Sequence, residues 1–178
     1  MPLDLSLRGI ENGVRLMVPF ALLIILFLLS VTAIPLPRIG PVKPALLLIA
    51  IYYWSIYRPT LTPPALCFSA GLLLDVMTSL PLGVNAVVLT LVQWVVRDQR
   101  KFLMGQAYIT IWGVFALVAF LSGFIQWGLY GLKDMAWAPT TPVLVSVAAT
   151  IFLFPVVTPL LILVHRLLPA APKSSYVG

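Results

Sequence analysis

Asp75 is the residue on which chemistry would most readily turn. It follows the apolar run Phe68-Ser69-Ala70-Gly71-Leu72-Leu73-Leu74, and a carboxylate in such a run is costly enough to mark a function or a specific partner. Three roles fit it: an ion pair, a helix-end carboxylate meeting water, or a proton- or solute-linked group. The ion pair has a basis in length. At about 1.5 Å of rise per residue, Pro59 to Asp75 covers about 24 Å of helix and Lys43 to Arg58 about 22 Å. Two antiparallel helices joined at Arg58-Pro59 therefore bring Lys43 and Asp75 to similar heights.

Other reactive residue types are sparse. The single cysteine, Cys67, lies in an apolar run and reads as a small buried or lipid-facing side chain. The single histidine, His165, sits beside Arg166 at the end of the last apolar run. One of each leaves no disulfide framework and no His/Cys metal cluster. P-loop, GxSxG and HExxH motifs are absent, so neither a catalytic residue nor a cofactor is expected. Arg58 either anchors a tight turn and caps the end of the preceding helix or presents a fixed cation to a partner. Tyr52, Tyr53, Trp54 and Tyr57 beside it read as an interfacial aromatic belt. Arg97, Asp98, Arg100 and Lys101 form the densest charge cluster, suited to orientation and anionic-lipid contact or to partner docking. Ala119 and Gly123, four residues apart, suit a close helix–helix contact.

What must position these residues follows from composition. Apolar types make up 61% of the 178 residues and charged types 9%, against about a quarter charged in an ordinary soluble domain. Such a chain cannot cover its surface with polar groups, which excludes a soluble enzyme, and disorder needs the opposite composition. The expectation is an all-α polytopic membrane protein in one domain. Spans are read at 16–34, 41–57, 62–78, 80–96, 107–130 and 142–164, with a cytoplasmic interfacial segment at 1–15 and a cytoplasmic tail at 165–178. Runs such as Phe20 to Phe27 do not alternate as the strands of a β-barrel would.

The boundaries carry local signals. Leu3, Leu7, Ile10 and Val14 fall at helical spacing, which suits a short amphipathic helix on the inner leaflet. The first span is too long for a signal-peptide core. In the second span only Pro44 to Tyr57 is uncharged, about 21 Å of helix, so either Lys43 snorkels, or the bilayer thins, or the segment is a re-entrant hairpin. Thr62 with Pro63 reads as an N-cap and first helical residue, and Ser79 with Pro81 repeats that signal. Pro155 and Pro159 are expected to kink the sixth span.

Lys and Arg total 11 against 5 Asp and Glu. In a membrane protein that excess sets orientation rather than indicating nucleic acid. With the N-terminus inside, Arg8, Arg15, Arg58, Arg97, Arg100, Lys101, Arg166 and Lys173 are cytoplasmic, and Arg38, Lys43 and Lys133 lie opposite. The asymmetry fits six spans with both termini cytoplasmic.

Residues 53 to 83 resemble the MreD family of bacterial rod-shape-determining membrane proteins. The matching elements are Tyr53-Trp54, Arg58-Pro59, Phe68, Gly71-Leu72-Leu73, Asp75 and Pro81-Leu82-Gly83. Length, six-helix hydropathy, and a basic loop (Arg100-Lys101-Phe102) before an aromatic-rich fifth helix (Trp112, Phe115) are also similar. The resemblance implies a non-enzymatic inner-membrane subunit of the elongation machinery. Such a subunit binds MreC and links cytoplasmic MreB filaments indirectly to the peptidoglycan synthases, RodA and its partner transpeptidase. It also implies a fold similar to the S-component of energy-coupling-factor transporters, which supplies the rival reading, a small-solute (vitamin-type) binding subunit. Polar groups in the spans are few (Asn85, Gln93, Gln126, Asp75 and scattered Ser/Thr), which favours a scaffold that needs no ligand. The candidate structural and partner-binding residues are Arg58, Pro59, Gly71, Asp75, Gly83, Lys43, Ala119 and Gly123, and the long fifth helix is the expected MreC contact.

Overall fold

Long apolar runs satisfy their own backbone groups only as helices, and helices dominate the chain. The computed structural model describes residues 3–36, 40–78, 81–134 and 139–168. In chain order these form α1 (Leu3–Val31), β1 (Ile34–Leu36), β2 (Gly40–Val42), α2 (Leu46–Tyr57), α3 (Pro64–Met77), α4 (Val84–Asp98), α5 (Arg100–Leu103), α6 (Tyr108–Asp134) and α7 (Thr140–Leu167). The amphipathic segment and the first expected span are one continuous helix of 29 residues. Gly9 and Gly13 each cost about 1 kcal/mol in a helix interior, too little to break it.

The proline-rich stretch after α1 cannot continue a helix and turns instead into a small antiparallel hairpin. Ile34 pairs with Val42, Pro35 with Pro41 and Leu36 with Gly40. A two-stranded ribbon tolerates these prolines because its outer edges need no donor.

The second expected span, 41–57, therefore starts as β2 and a non-helical entry, and its helix begins only at Leu46. At 12 residues α2 is about 18 Å long. Every residue from Leu46 to Ile56 is buried. The helix packs against α1, α4, α6 and α7, so it occupies the middle of the bundle and is insulated from lipid by its neighbours. Its shortness then needs no bilayer thinning. Non-helical backbone at such a position must find partners within the protein. Lys43 N–H donates to Ser146 Oγ (3.2 Å), Ala45 N–H to Thr150 Oγ1 (2.9 Å) and Leu47 N–H to Ser30 Oγ (2.8 Å). Two of these hydroxyls pass their own proton on along their own helices, Ser30 to Leu26 O and Thr150 to Ser146 O.

The last helix uses the same device in reverse. Helix α7 runs through Pro155 and Pro159. Pro155 has no N–H for the carbonyl four residues earlier, that of Ile151. Trp112 on α6 fills the gap, donating its Nε1–H to Ile151 O at 3.1 Å. Beside it, Phe115 and Phe154 stack with centroids 4.4 Å apart, and Tyr52 meets both edge-on. The Tyr52 hydroxyl is satisfied by Ile111 O at 3.0 Å.

The periphery is apolar. Trp94, Phe152 and Ile109 are 68%, 70% and 64% exposed. Helices Tyr108–Leu132 and Thr140–Leu167 are long and apolar enough to cross a membrane, and Met17–Val31, Leu46–Tyr57 and Pro64–Met77 are shorter apolar helices. Large side chains turned outward in this number belong to a membrane protein.

Two substitutions test the cross-helix bonds. Thr150→Val strands the Ala45 N–H at almost unchanged volume, and Trp112→Phe strands the Ile151 carbonyl while keeping an aromatic ring, though a smaller one. Each is expected to destabilise the protein by about 1–3 kcal/mol, the cost of an unpaired buried group, read as a lowered midpoint of thermal denaturation in detergent. An unchanged midpoint in both would refute the role given to these bonds.

Candidate functional site

The α3–α4 corner is where the sequence's most informative residue does its work. Asp75 lies in the last turn of α3 and is fully buried. One carboxylate oxygen, Oδ2, accepts from the Gly83 N–H (2.8 Å). The other, Oδ1, accepts from both the Asn85 N–H (3.1 Å) and Asn85 Nδ2 (2.7 Å). Asp75 thus caps the neighbouring helix from the end of its own. The first N–H groups of a helix lack internal partners and carry partial positive charge, so a carboxylate is the natural complement. No side chain of α4's own N-cap serves there, since that residue is Gly83.

Two glycines make the geometry possible. Gly83 has φ of 100°, a left-handed conformation that turns the chain into α4. Gly71, one turn before Asp75 on the same face, is where α3 meets α4. A Cβ there would collide with the Ala86 backbone and lie 2.7 Å from the Asn85 carbonyl carbon. The fourth helix consequently starts at Val84, later than the expected 80. The Thr62-Pro63 signal also shifts: Pro63 is the N-cap of α3, Pro64 follows it, and no side chain caps the end. Ser79 lies outside the described residues.

From this corner a polar chain crosses the bundle. Asn85 Oδ1 accepts from Gln126 Nε2 on α6 at 2.9 Å. Asn85 and Gln126 in turn line a cavity of about 320 Å³ between the hairpin end of α2 and helices α3, α4, α6 and α7. Lys43 lines this cavity, half-buried. Of the roles open to Asp75, a helix-end carboxylate meeting water is excluded by its burial, and the Lys43–Asp75 ion pair is absent, because Gly83 and Asn85 occupy the carboxylate and Asn85 stands between it and the cavity.

Ala119 and Gly123 line the same cavity, and Gly123 also approaches α7 so closely that a Cβ would meet Val147. Of the candidate residues, Gly71, Asp75 and Gly83 form the corner, and Lys43, Ala119 and Gly123 the cavity. Arg58 and Pro59 stand apart at the opposite end of α2. There the Arg58 N–H closes the helix on Trp54 O (2.8 Å). Tyr53, Trp54 and Tyr57 gather around His165, with Tyr53 Oη and His165 Nδ1 3.2 Å apart. Sequence reasoning counted Asn85 and Gln126 only as scattered polar residues. Their signal was the stripe Ala119, Ser122, Gly123, Gln126 and Tyr130, small and polar residues on one face of α6 that all line the cavity.

Among the described residues no group of three or more His, Cys, Asp or Glu could hold a metal ion.

Substitutions at the corner separate strain from collision. Gly83→Ala meets open space but keeps a positive φ, at a cost of about 1–2 kcal/mol. Gly71→Ala forces α3 and α4 apart and is expected to cost more, with a larger fall in thermal midpoint. Asp75→Ala strands the start of α4, and combining Lys43→Asp with Asp75→Lys is expected to give no rescue over either change alone. Restored stability in that double variant would reinstate the ion pair.

The chain matches the family model for rod shape-determining protein MreD over residues 12–164. No curated protein and no solved structure matches it. The corner and the cavity both fall inside the matched range, and the chain belongs to the MreD family.

Proposed function

We propose that this MreD-family chain serves the rod shape-determining system as a non-enzymatic scaffold subunit of the bacterial inner membrane. In this reading it crosses the bilayer six times with both termini cytoplasmic, in an S-component-like arrangement. Its partners are MreC, directly, and RodA with its transpeptidase and the MreB filaments through the assembly. The observation that carries the reading beyond family membership is where the polar groups go. Asp75, Asn85, Gln126, Ser30, Ser146 and Thr150 are all engaged in fastening one helix to another. Outward faces such as Phe68, Leu73 and Val76 of α3 and Leu117 and Leu121 of α6 are apolar and exposed. A rigid frame with apolar flanks suits lateral packing against other membrane helices.

The basic cluster fits the same orientation. Arg97, Asp98, Arg100 and Lys101 border a surface depression with Trp94, at the α4–α5 end away from the Asp75 corner. Cations at that end favour the cytoplasmic face. A second reading, a small-solute-binding subunit, is favoured by one observation, the cavity lined by Lys43, Asn85, Gln126 and Tyr130.

The two are distinguished in cells of a rod-shaped host. Depletion of the chain is expected to round the cells. A photo-crosslinking residue at Leu117 or Leu121 is expected to capture MreC, whereas one at enclosed Ile49 captures nothing from outside the chain. Solute uptake that depends on the chain, with cell shape intact, would overturn the scaffold in favour of the second reading.

A further inference from the structure

The cavity beside Asn85 has a hydrogen-bonding character that neither the frame nor the corner uses. Three of its acceptors are taken: Ser146 Oγ and Thr150 Oγ1 receive the Lys43 and Ala45 N–H groups, and Asn85 Oδ1 receives Gln126. Among the described residues, Lys43 is the one charged side chain that lines it. The Lys43 side chain brings an ammonium with three N–H bonds, and the other polar side chains of the lining are neutral. No acidic side chain lines the cavity. The rest of the wall is apolar, including Leu47, Leu48, Leu74, Leu89 and Val143. Its volume of about 320 Å³ falls at the lower end of small-molecule sites.

We propose that this cavity binds a single-anion amphiphile, its carboxylate or phosphate held at Lys43 and its apolar body lying among the leucines of α2, α3 and α4. A neutral chain would leave the ammonium without a counter-charge, and a cation would meet Lys43 directly. The bilayer itself offers such molecules in two forms, a free fatty acid and an anionic phospholipid. Bound there, the molecule touches the α2 entry, α4, α6 and α7 together. This proposal stands on the cavity and is independent of the scaffold assignment.

Trp127, which also lines the cavity, supplies the readout. The full chain is placed in nanodiscs of zwitterionic phosphatidylcholine, and its fluorescence is titrated with brominated fatty acid, brominated phosphatidic acid or brominated fatty alcohol. Saturable quenching is expected with one or both anionic probes, and the one acting at lower mole fraction identifies the source. The alcohol should quench only in proportion to its content of the bilayer. Trp127→Phe should remove the saturable component. Lys43→Gln should shift it at least about tenfold to higher probe, consistent with the loss of a charge-assisted hydrogen bond, and Lys43→Arg should largely restore it. Equal saturable quenching by the alcohol, a saturable component that survives Trp127→Phe, or an unshifted curve in Lys43→Gln would overturn the proposal. If Lys43→Gln fails to fold, the comparison of acid with alcohol on the unaltered chain decides alone.

Discussion

The carboxylate of Asp75 on the amino end of α4 is the interaction from which the arrangement of the bundle follows. A helix that begins among other helices, away from water, presents N–H groups that must be met by the protein or remain at a cost of about 1–3 kcal/mol each. Asp75 meets two of them and binds the Asn85 side chain as well. Because the donors sit on one helix and the acceptor on another, the bond fixes the α3–α4 corner in translation and rotation at once. Gly71 allows the approach and Gly83 allows the turn. Asn85, oriented by the carboxylate, extends the constraint to α6 through Gln126. On the proposed topology this corner lies deeper than the headgroups. A 14-residue α3 rises about 21 Å from the Arg58-Pro59 turn, less than a hydrocarbon core of about 30 Å. The carboxylate is therefore tolerated for the reason that it is needed: the exposed helix end and the charge neutralise one another's cost.

That logic also explains which parts of the structure could be read from residue order alone. Apolar runs long enough to be helices are visible as such, and so is Asp75, because a carboxylate in an apolar run is conspicuous. Its partner was not. Length arithmetic sets the height of Lys43 relative to Asp75 but says nothing about azimuth, and it assumed that both intervening segments are helical throughout. The segment after Lys43 is not, and the groups that took the carboxylate are backbone N–H groups, which have no signature in residue type. Gly83 was the available clue, eight residues beyond Asp75 at a position where a turn with positive φ admits little else. The cavity stripe on α6 was legible by helical spacing, but small and polar residues at that spacing are also the ordinary furniture of helix contacts, so only the placement of α7 and the hairpin distinguishes the two.

The second segment illustrates a different limit. Its uncharged stretch is too short to cross a bilayer, and lipid adaptation is the natural inference when a helix is considered singly. The bundle removes the premise. Once α1, α4, α6 and α7 enclose α2, the surrounding helices meet the lipid, and α2 needs only a partner for each N–H at its entry. Three hydroxyls on α1 and α7 supply these. Each Ser or Thr looked unremarkable in sequence because its role depends on the non-helical backbone of residues 42–45, which follows from the proline-rich hairpin before it.

Helix α7 and the α2 entry are thus two cases of one exchange. Where the backbone loses its regular partner, at Pro155 or before Leu46, a side chain from an adjacent helix takes its place. Exchanges of this kind are stronger positional constraints than apolar packing, because a hydrogen bond tolerates only a few tenths of an ångström and limited misalignment, whereas apolar contacts slide. They also consume polar groups internally, which leaves the outer surface apolar without leaving the interior loose. In the cavity between these helices the one charged lining side chain among the described residues is Lys43, and no acidic side chain lines it. That charge is left for something supplied from outside the chain to balance.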